Sequence, residues 1–195
     1  MGDAGAVALA QLLEKNNTIK TYNIQCWYLM HKTAKPMMSR LFLGFGGAST
    51  GNGITAVGVQ ALAQSLKINN TLEHLYLHAN AAGDEGGIAM ATALEVNHGL
   101  TELTLSQNEL NGPAYVAFGN MLKSNTTLQS LSLMRLSLIT QCFPQKPLNK
   151  RSLPDTENNG TAEGAAAFAS GLFVNHTLKS LFLHSLFTTQ PPPNF

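Results

Sequence analysis

Leu72-Glu73-His74-Leu75-Tyr76-Leu77-His78-Ala79-Asn80 is the stretch that decides the fold. It returns 28 residues later as Leu100-Thr101-Glu102-Leu103-Thr104-Leu105-Ser106-Gln107-Asn108, and after another 28 as Leu128-Gln129-Ser130-Leu131-Ser132-Leu133. A fourth copy is Leu178-Lys179-Ser180-Leu181-Phe182-Leu183, and a degenerate one, Ile19-Lys20-Thr21-Tyr22-Asn23-Ile24, lies near the start. In the shared pattern L-x-x-L-x-L-x-x-N, the central x-L-x-L-x alternates with period two. That spacing turns the leucines to one face of a strand and the residues between them to the other.

A second half-unit repeats in step with the first. Gly58-Val59-Gln60-Ala61-Leu62-Ala63-Gln64-Ser65-Leu66 aligns with residues 86–94, 114–122 and 164–172, and residues 5–13 form the first copy. Apolar or small residues fall there at i, i+3, i+4 and i+8, which is helical spacing, and the alanines favour helix and close approach to a sheet. Each helix is expected to stop at a polar turn: Asn16-Asn17-Thr18, Asn69-Asn70-Thr71, Asn97-His98-Gly99, Asn125-Thr126-Thr127 and Asn175-His176-Thr177. One strand and one helix cannot bury their apolar face alone, so the units are expected to stack around a shared core. The expected fold is an α/β solenoid, a horseshoe segment with parallel strands on the concave side and helices on the convex side. The asparagine closing each strand pattern is expected to bond buried backbone of the neighbouring coil.

The 28-residue pattern with its G-x-x-A-L-A helix resembles the ribonuclease-inhibitor-like leucine-rich repeats. Such repeats occur in ribonuclease inhibitors, in the sensor ends of NOD-like receptors and in Ran GTPase-activating proteins. The resemblance implies a non-enzymatic module that binds a protein partner, with no cofactor. A Ran-type GTPase-activating regulator is the alternative within the same class. Ribonuclease inhibitors are rich in cysteine and acid, however, whereas this chain has two cysteines and a net charge of +1. The strongly acidic tail of the Ran activators has no counterpart in this sequence.

The spacing fails twice. Tyr22 and Leu75 are 53 residues apart, 25 more than one unit, and Leu131 and Leu181 are 50 apart, 22 more. Asn52 and Asn158 precede Leu72 and Leu178 by 20 residues, as Asn80 precedes Leu100, so both extra segments enter before the closing asparagine. The chain is therefore read as one domain, 1–195, with irregular inserts at about 27–51 and 136–157 and a disordered tail at 187–195. Long irregular segments are functional loops or disordered. A further reading is that both are translated introns in a truncated gene product without independent function. The sequence starts inside a unit and stops soon after a strand, with no polar capping unit at either end, so apolar edges are expected.

Other motifs yield little. Gly44-Phe45-Gly46-Gly47-Ala48-Ser49-Thr50-Gly51 lacks the Gly-Lys-Ser/Thr that a phosphate loop requires. Five N-x-Thr sequons stand at Asn16, Asn69, Asn125, Asn159 and Asn175, but four recur at the same turn, which the repeat explains without a sugar. His74 and His78 would lie about 13 Å apart along a strand, too far for one zinc ion. No Ser/His/Asp or Cys/His set is indicated by spacing. Only 12% of residues are charged, and the near-neutral balance provides no field for nucleic acid or an anionic membrane. No segment reaches the ~20 apolar residues of a spanning helix. There is no signal-peptide pattern either, so a cytoplasmic location is expected.

The outward strand residues form columns. One runs Thr21, His74, Glu102, Ser130, Ser180; the next Asn23, Tyr76, Thr104, Ser132, Phe182; the third Gln25, His78, Ser106, Met134, His184. Beyond them come Ala79, Gln107, Arg135 and Ser185. The protein-binding candidates are His74, Tyr76, His78, Glu102, Thr104, Ser106, Gln107, Ser132, Met134, Arg135, Phe182 and His184. Tyr, Phe and Arg supply large contact area to binding surfaces, while His74 and Glu102 are expected to neighbour each other on adjacent strands.

Overall fold

The computed structural model describes residues 1–20, 41–42, 52–133 and 161–183. Helix and strand alternate along the chain: α1 (Gly2–Lys15), β1 (Leu41–Phe42), α2 (Ala56–Leu66), β2 (His74–Tyr76), α3 (Gly83–Leu94), β3 (Glu102–Thr104), α4 (Gly112–Met121), β4 (Ser130–Ser132), α5 (Ala162–Val174) and β5 (Ser180–Phe182). The strands form one parallel sheet in chain order, β1-β2-β3-β4-β5. Each helix packs on the next one in sequence. A crossover from strand to neighbouring parallel strand is right-handed, so successive crossovers in one direction put the helices on one side of the sheet.

The leucine pattern sets the register. Leu75, Leu103, Leu131 and Leu181 pair in line, flanked by the line His74, Glu102, Ser130, Ser180 and the line Tyr76, Thr104, Ser132, Phe182. The leucines at 72, 75 and 77, at 100, 103 and 105, and at 128, 131 and 133 are fully buried against Leu62, Leu66, Met90, Leu94 and Phe118. Burying each such side chain contributes about 1.5–3 kcal/mol, which makes this apolar seam the main stabilising element. Tyr115 joins it from α4. Its ring lies tilted on Phe168, with centroids 5.7 Å apart, and its hydroxyl donates to the Leu133 carbonyl at 3.1 Å. Burial pushes the phenol far above its ordinary pKa.

The first strand corrects the sequence expectation. Leu41 pairs with Leu75 and Phe42 with Tyr76, in the places expected for Tyr22 and Asn23. A strand thus lies inside segment 27–51, which was expected to be irregular. The register holds as far as Lys20, whose carbonyl accepts from Glu73 N at 2.8 Å, as Thr101 O does from Gln129 N at 2.8 Å. Leu41 and Phe42 are residues suited to a strand, and Leu41 stands where the pattern calls for a leucine, so the pair can take the edge position. Thr21, Tyr22, Asn23 and Gln25 lie outside the described residues, as do segment 136–157 and the tail 187–195.

Two sets of asparagines join the units. The set closing the strand pattern behaves as expected. Asn108 Nδ2 donates to Leu77 O of the preceding unit at 2.8 Å, its Oδ1 accepts from Ala82 N at 3.3 Å, and Asn80 Oδ1 accepts from Ile54 N at 3.2 Å. Asn52 takes the corresponding place through its backbone alone: its carbonyl accepts from Gly2 N at 2.6 Å, as that of Asn108 accepts from Gly83 N at 2.9 Å, while its Nδ2 is buried with no hydrogen-bond partner among the described residues.

The second set lies at the helix-to-strand turns. Asn97 is fully buried. Its Nδ2 donates to Leu66 O and Asn69 O, both at 2.7 Å. Its Oδ1 accepts from Gly99 N at 3.1 Å and Leu100 N at 2.8 Å. Asn69, Asn125 and Asn175 repeat this arrangement, each reaching back one unit. The nitrogen that would carry a glycan at the Asn69, Asn125 and Asn175 sequons is therefore already committed to the fold.

A carboxylate caps a helix across units. Asp3 on α1 accepts from Thr55 Oγ1 at 2.7 Å, Thr55 N at 2.8 Å and Gly58 N at 3.1 Å, at the start of α2. The Thr55 hydroxyl, aided by both amides, holds the Asp3 carboxyl below its ordinary pKa. A depressed folded pKa means that the stabilisation is fully present above the unfolded value and is lost as pH falls through the folded one. The stability difference between wild type and Asp3→Asn is thus expected at pH 7 and should shrink below about pH 4. Urea melts of both proteins across that range check this, and a pH-independent difference would remove Asp3 as the cap.

Candidate functional site

The exposed face of the sheet is the candidate site, and the strand register decides which side chains share it. His74 and Glu102 stand opposite each other on β2 and β3, with Nδ1 and Oε2 3.1 Å apart. Glu73 approaches the other ring nitrogen at 4.0 Å. The expected pairing of His74 with Glu102 is present, and it ties both side chains down. Next to it run Tyr76, Thr104, Ser132 and Phe182. Tyr76 is only 9% exposed, whereas Phe182 is 49% exposed. Thr104 and Ser132 lie half-buried between them.

The third column is less accessible than the sequence suggests. Ser106 is 3% exposed, and its hydroxyl shares a hydrogen bond of 2.9 Å with that of Ser132. His78 is half-buried, and burial pushes its pKa down, so the ring is neutral at pH 7. Gln107 does not continue the strand. It turns with φ 55, and its equivalent Ala79 with φ 56, in the left-handed region. The cause is the closing asparagine. Asn80 Nδ2 donates back to Leu77 O, and Asn108 Nδ2 to Ser106 O, which bends the chain just before each asparagine. Gln107 consequently lies at the rim of the face. Met134, Arg135 and His184 are outside the described residues.

An open groove lies where the strands begin. It measures about 420 Å³ and is lined by His98, Thr126 and His176, which hold equivalent turn positions, and by Thr101, Gln129 and Lys179. Spacing places both histidines in turns but cannot show that the turns border one groove. Much of its polar lining is already engaged: Thr101 Oγ1 donates to Glu73 O at 2.9 Å, and Lys179 Nζ to Gln129 Oε1 at 3.0 Å. Among the described residues, no three His, Cys, Asp or Glu side chains converge as a metal site would require.

No helix among the described residues is long and apolar enough to cross a membrane. No family model matches the chain, and no curated protein matches it. Among solved structures, leiomodin-1 actin-binding site 2 is similar at 22% sequence identity, with a TM-score of 0.48, over 65% of this chain. The match spans 61% of that chain, less than two thirds of its length.

Proposed function

We propose that the chain is a run of ribonuclease-inhibitor-like leucine-rich repeats that binds a protein partner on the outer face of its sheet, without catalysis. The observation that carries this reading is the second column. Phe182 is 49% exposed beside Ser132 and Thr104, so an aromatic side chain projects from a face of small polar residues. Such a face admits a partner's main chain or side chains closely, and aromatic residues contribute disproportionately to interface energy. The helix side carries exposed apolar residues of its own, among them Phe173 at 86% and Ile68 at 64%, mixed with charged residues such as Glu95 and Lys123, so the reading rests on the register of the sheet face and not on a contrast in polarity.

The test is a photo-cross-linking amino acid placed at Thr104 on the sheet face and, separately, at Glu95 on the helix side. A partner should be captured from position 104, lost on Phe182→Asp, and not captured from position 95. Equal capture from both sides, or capture insensitive to Phe182→Asp, contradicts the assignment.

A further inference from the structure

The groove at the start of the strands opens between units whose turns close tightly one step earlier. Asn70, His98, Thr126 and His176 follow the turn asparagines Asn69, Asn97, Asn125 and Asn175. At the first of these steps the turns seat on each other. Asn70 Oδ1 accepts from His98 N at 2.8 Å, and Gly99 lies so close to the Asn70 carbonyl that a Cβ has no room there. At the next two steps both devices are missing. Thr127 and Thr177 stand where Gly99 stands, and His98 and Thr126 stand where Asn70 stands.

The groove consequently gathers donors whose acceptors are lacking. Among the described residues, the amides of Thr126 and His176 meet no acceptor, although their counterpart at His98 has one. The rings of His98 and His176 also line the groove without a hydrogen bond to any described residue. Lys179 gives one of its three donors to Gln129 Oε1, at 3.0 Å. No Asp or Glu among the described residues lines the groove.

Asn70 Oδ1 shows what such an amide takes when it is satisfied: an acceptor oxygen. Amides on neighbouring parallel strands repeat at ~4.8 Å, and each reaches an oxygen at ~2.9 Å, so one small oxyanion can bridge two of them. An imidazole presents an N–H whatever its charge. A phosphoryl group brings three strong acceptor oxygens and a charge of about −1.5 to −2. That matches two amides, two rings and an ammonium better than the two oxygens of a carboxylate do.

We propose that the groove binds a phosphoryl group, held by the amides of Thr126 and His176, the rings of His98 and His176, and Lys179. Thr101, Gln129 and Lys179 directly precede Glu102, Ser130 and Ser180 of the sheet face. A phosphorylated side chain of a partner lying on that face therefore comes within reach of the groove, as does free phosphate. Only the partner as a source rests on the sheet face as the binding surface; the phosphoryl site does not.

The test is amide-resolved nuclear magnetic resonance of the full chain, titrated at fixed ionic strength with inorganic phosphate, N-acetyl-O-phosphoserine amide or acetate. Both phosphoryl probes should shift the Thr126 and His176 amides saturably at roughly millimolar concentration, and acetate should leave them in place. Tighter binding of the phosphoserine derivative assigns the site to a phosphorylated protein. Binding of inorganic phosphate at least as tight assigns it to free phosphate. Lys179→Gln should weaken binding roughly tenfold, the scale of one charge-assisted hydrogen bond. Thr126→Asn keeps both rings and the ammonium, but it offers the His176 amide the carboxamide oxygen that Asn70 gives His98, so it should weaken binding by a similar factor. Both positions are exposed, and unchanged far-UV circular dichroism shows that each variant folds. No probe needs the partner, so this result and the cross-linking result fail separately. Amides that phosphate does not move, or that acetate moves equally, overturn the proposal. So does a folded Lys179→Gln or Thr126→Asn that binds like wild type.

Discussion

Asn97→Ala is expected to destabilise the protein by about 3–5 kcal/mol, because it removes four hydrogen bonds from a site with no access to water. Leu66 O and Asn69 O lose their donor, and the amides of Gly99 and Leu100 lose their acceptor. Each buried polar group left without a partner costs about 1–3 kcal/mol, and relaxation of the turn recovers only part of that. Domains of this size have a total stability of about 5–15 kcal/mol, so the variant should approach the folding limit. Asn97→Asp should be no better. It keeps the acceptor oxygens, but it turns a carboxylate toward two carbonyls and pays the desolvation of a buried charge. Urea denaturation with matched m-values measures both. A loss below 1 kcal/mol for Asn97→Ala would show that the turns, not the junctions, hold these asparagines.

Gly119→Val is the second large effect, expected at about 3 kcal/mol of destabilisation from overpacking and loss of helix propensity together. A Cβ at Gly119 would fall on the backbone of α5, 2.6 Å from Ala167 O and 2.7 Å from Phe168 N. A flexible side chain could turn away, but a helix backbone in a packed layer cannot. Gly119→Ala discriminates between the two contributions. Helix propensity alone favours alanine by up to about 1 kcal/mol, whereas the contact disfavours it by about 1–3 kcal/mol. A net loss is expected for alanine, and thermal unfolding monitored by circular dichroism reads the sign. A stabilised Gly119→Ala would mean that α4 and α5 sit further apart than described.

The leucines made the register legible in the sequence. A 28-residue period carrying L-x-x-L-x-L can pair in only one way without turning leucines outward, and Leu75, Leu103, Leu131 and Leu181 do pair so. The first strand was not legible, because Leu41–Phe42 follows a run of twenty residues after Lys20 and no fixed spacing marks its return. The closing asparagines Asn80 and Asn108 could be assigned from their place in the pattern. The turn asparagines looked only like helix stops, since their partners are backbone carbonyls of another unit and leave no trace in residue identity.

The candidate face was legible in its columns but not in its exposure. Alternation tells which way Tyr76 and Ser106 point, yet both are buried. Their accessibility depends on how closely neighbouring strands and side chains crowd them, and the hydroxyl pair Ser106–Ser132 is a product of that crowding. The turn at Gln107 was hidden for a related reason. Period two has no way to announce that the next residue turns left-handed to let Asn108 bond backwards.

The account rests on units joined through their turn asparagines, and the side-chain amide protons of those residues report on it directly. In a nuclear magnetic resonance spectrum of the full chain, the Nδ2 protons of Asn69, Asn97 and Asn125 should exchange slowly with water. They should show Overhauser contacts to the unit before each: Asn69 to Leu13 and Asn16, Asn97 to Leu66 and Asn69, Asn125 to Leu94 and Asn97. Rapidly exchanging amides at solvent-like positions, with contacts only to their own turns, would contradict it.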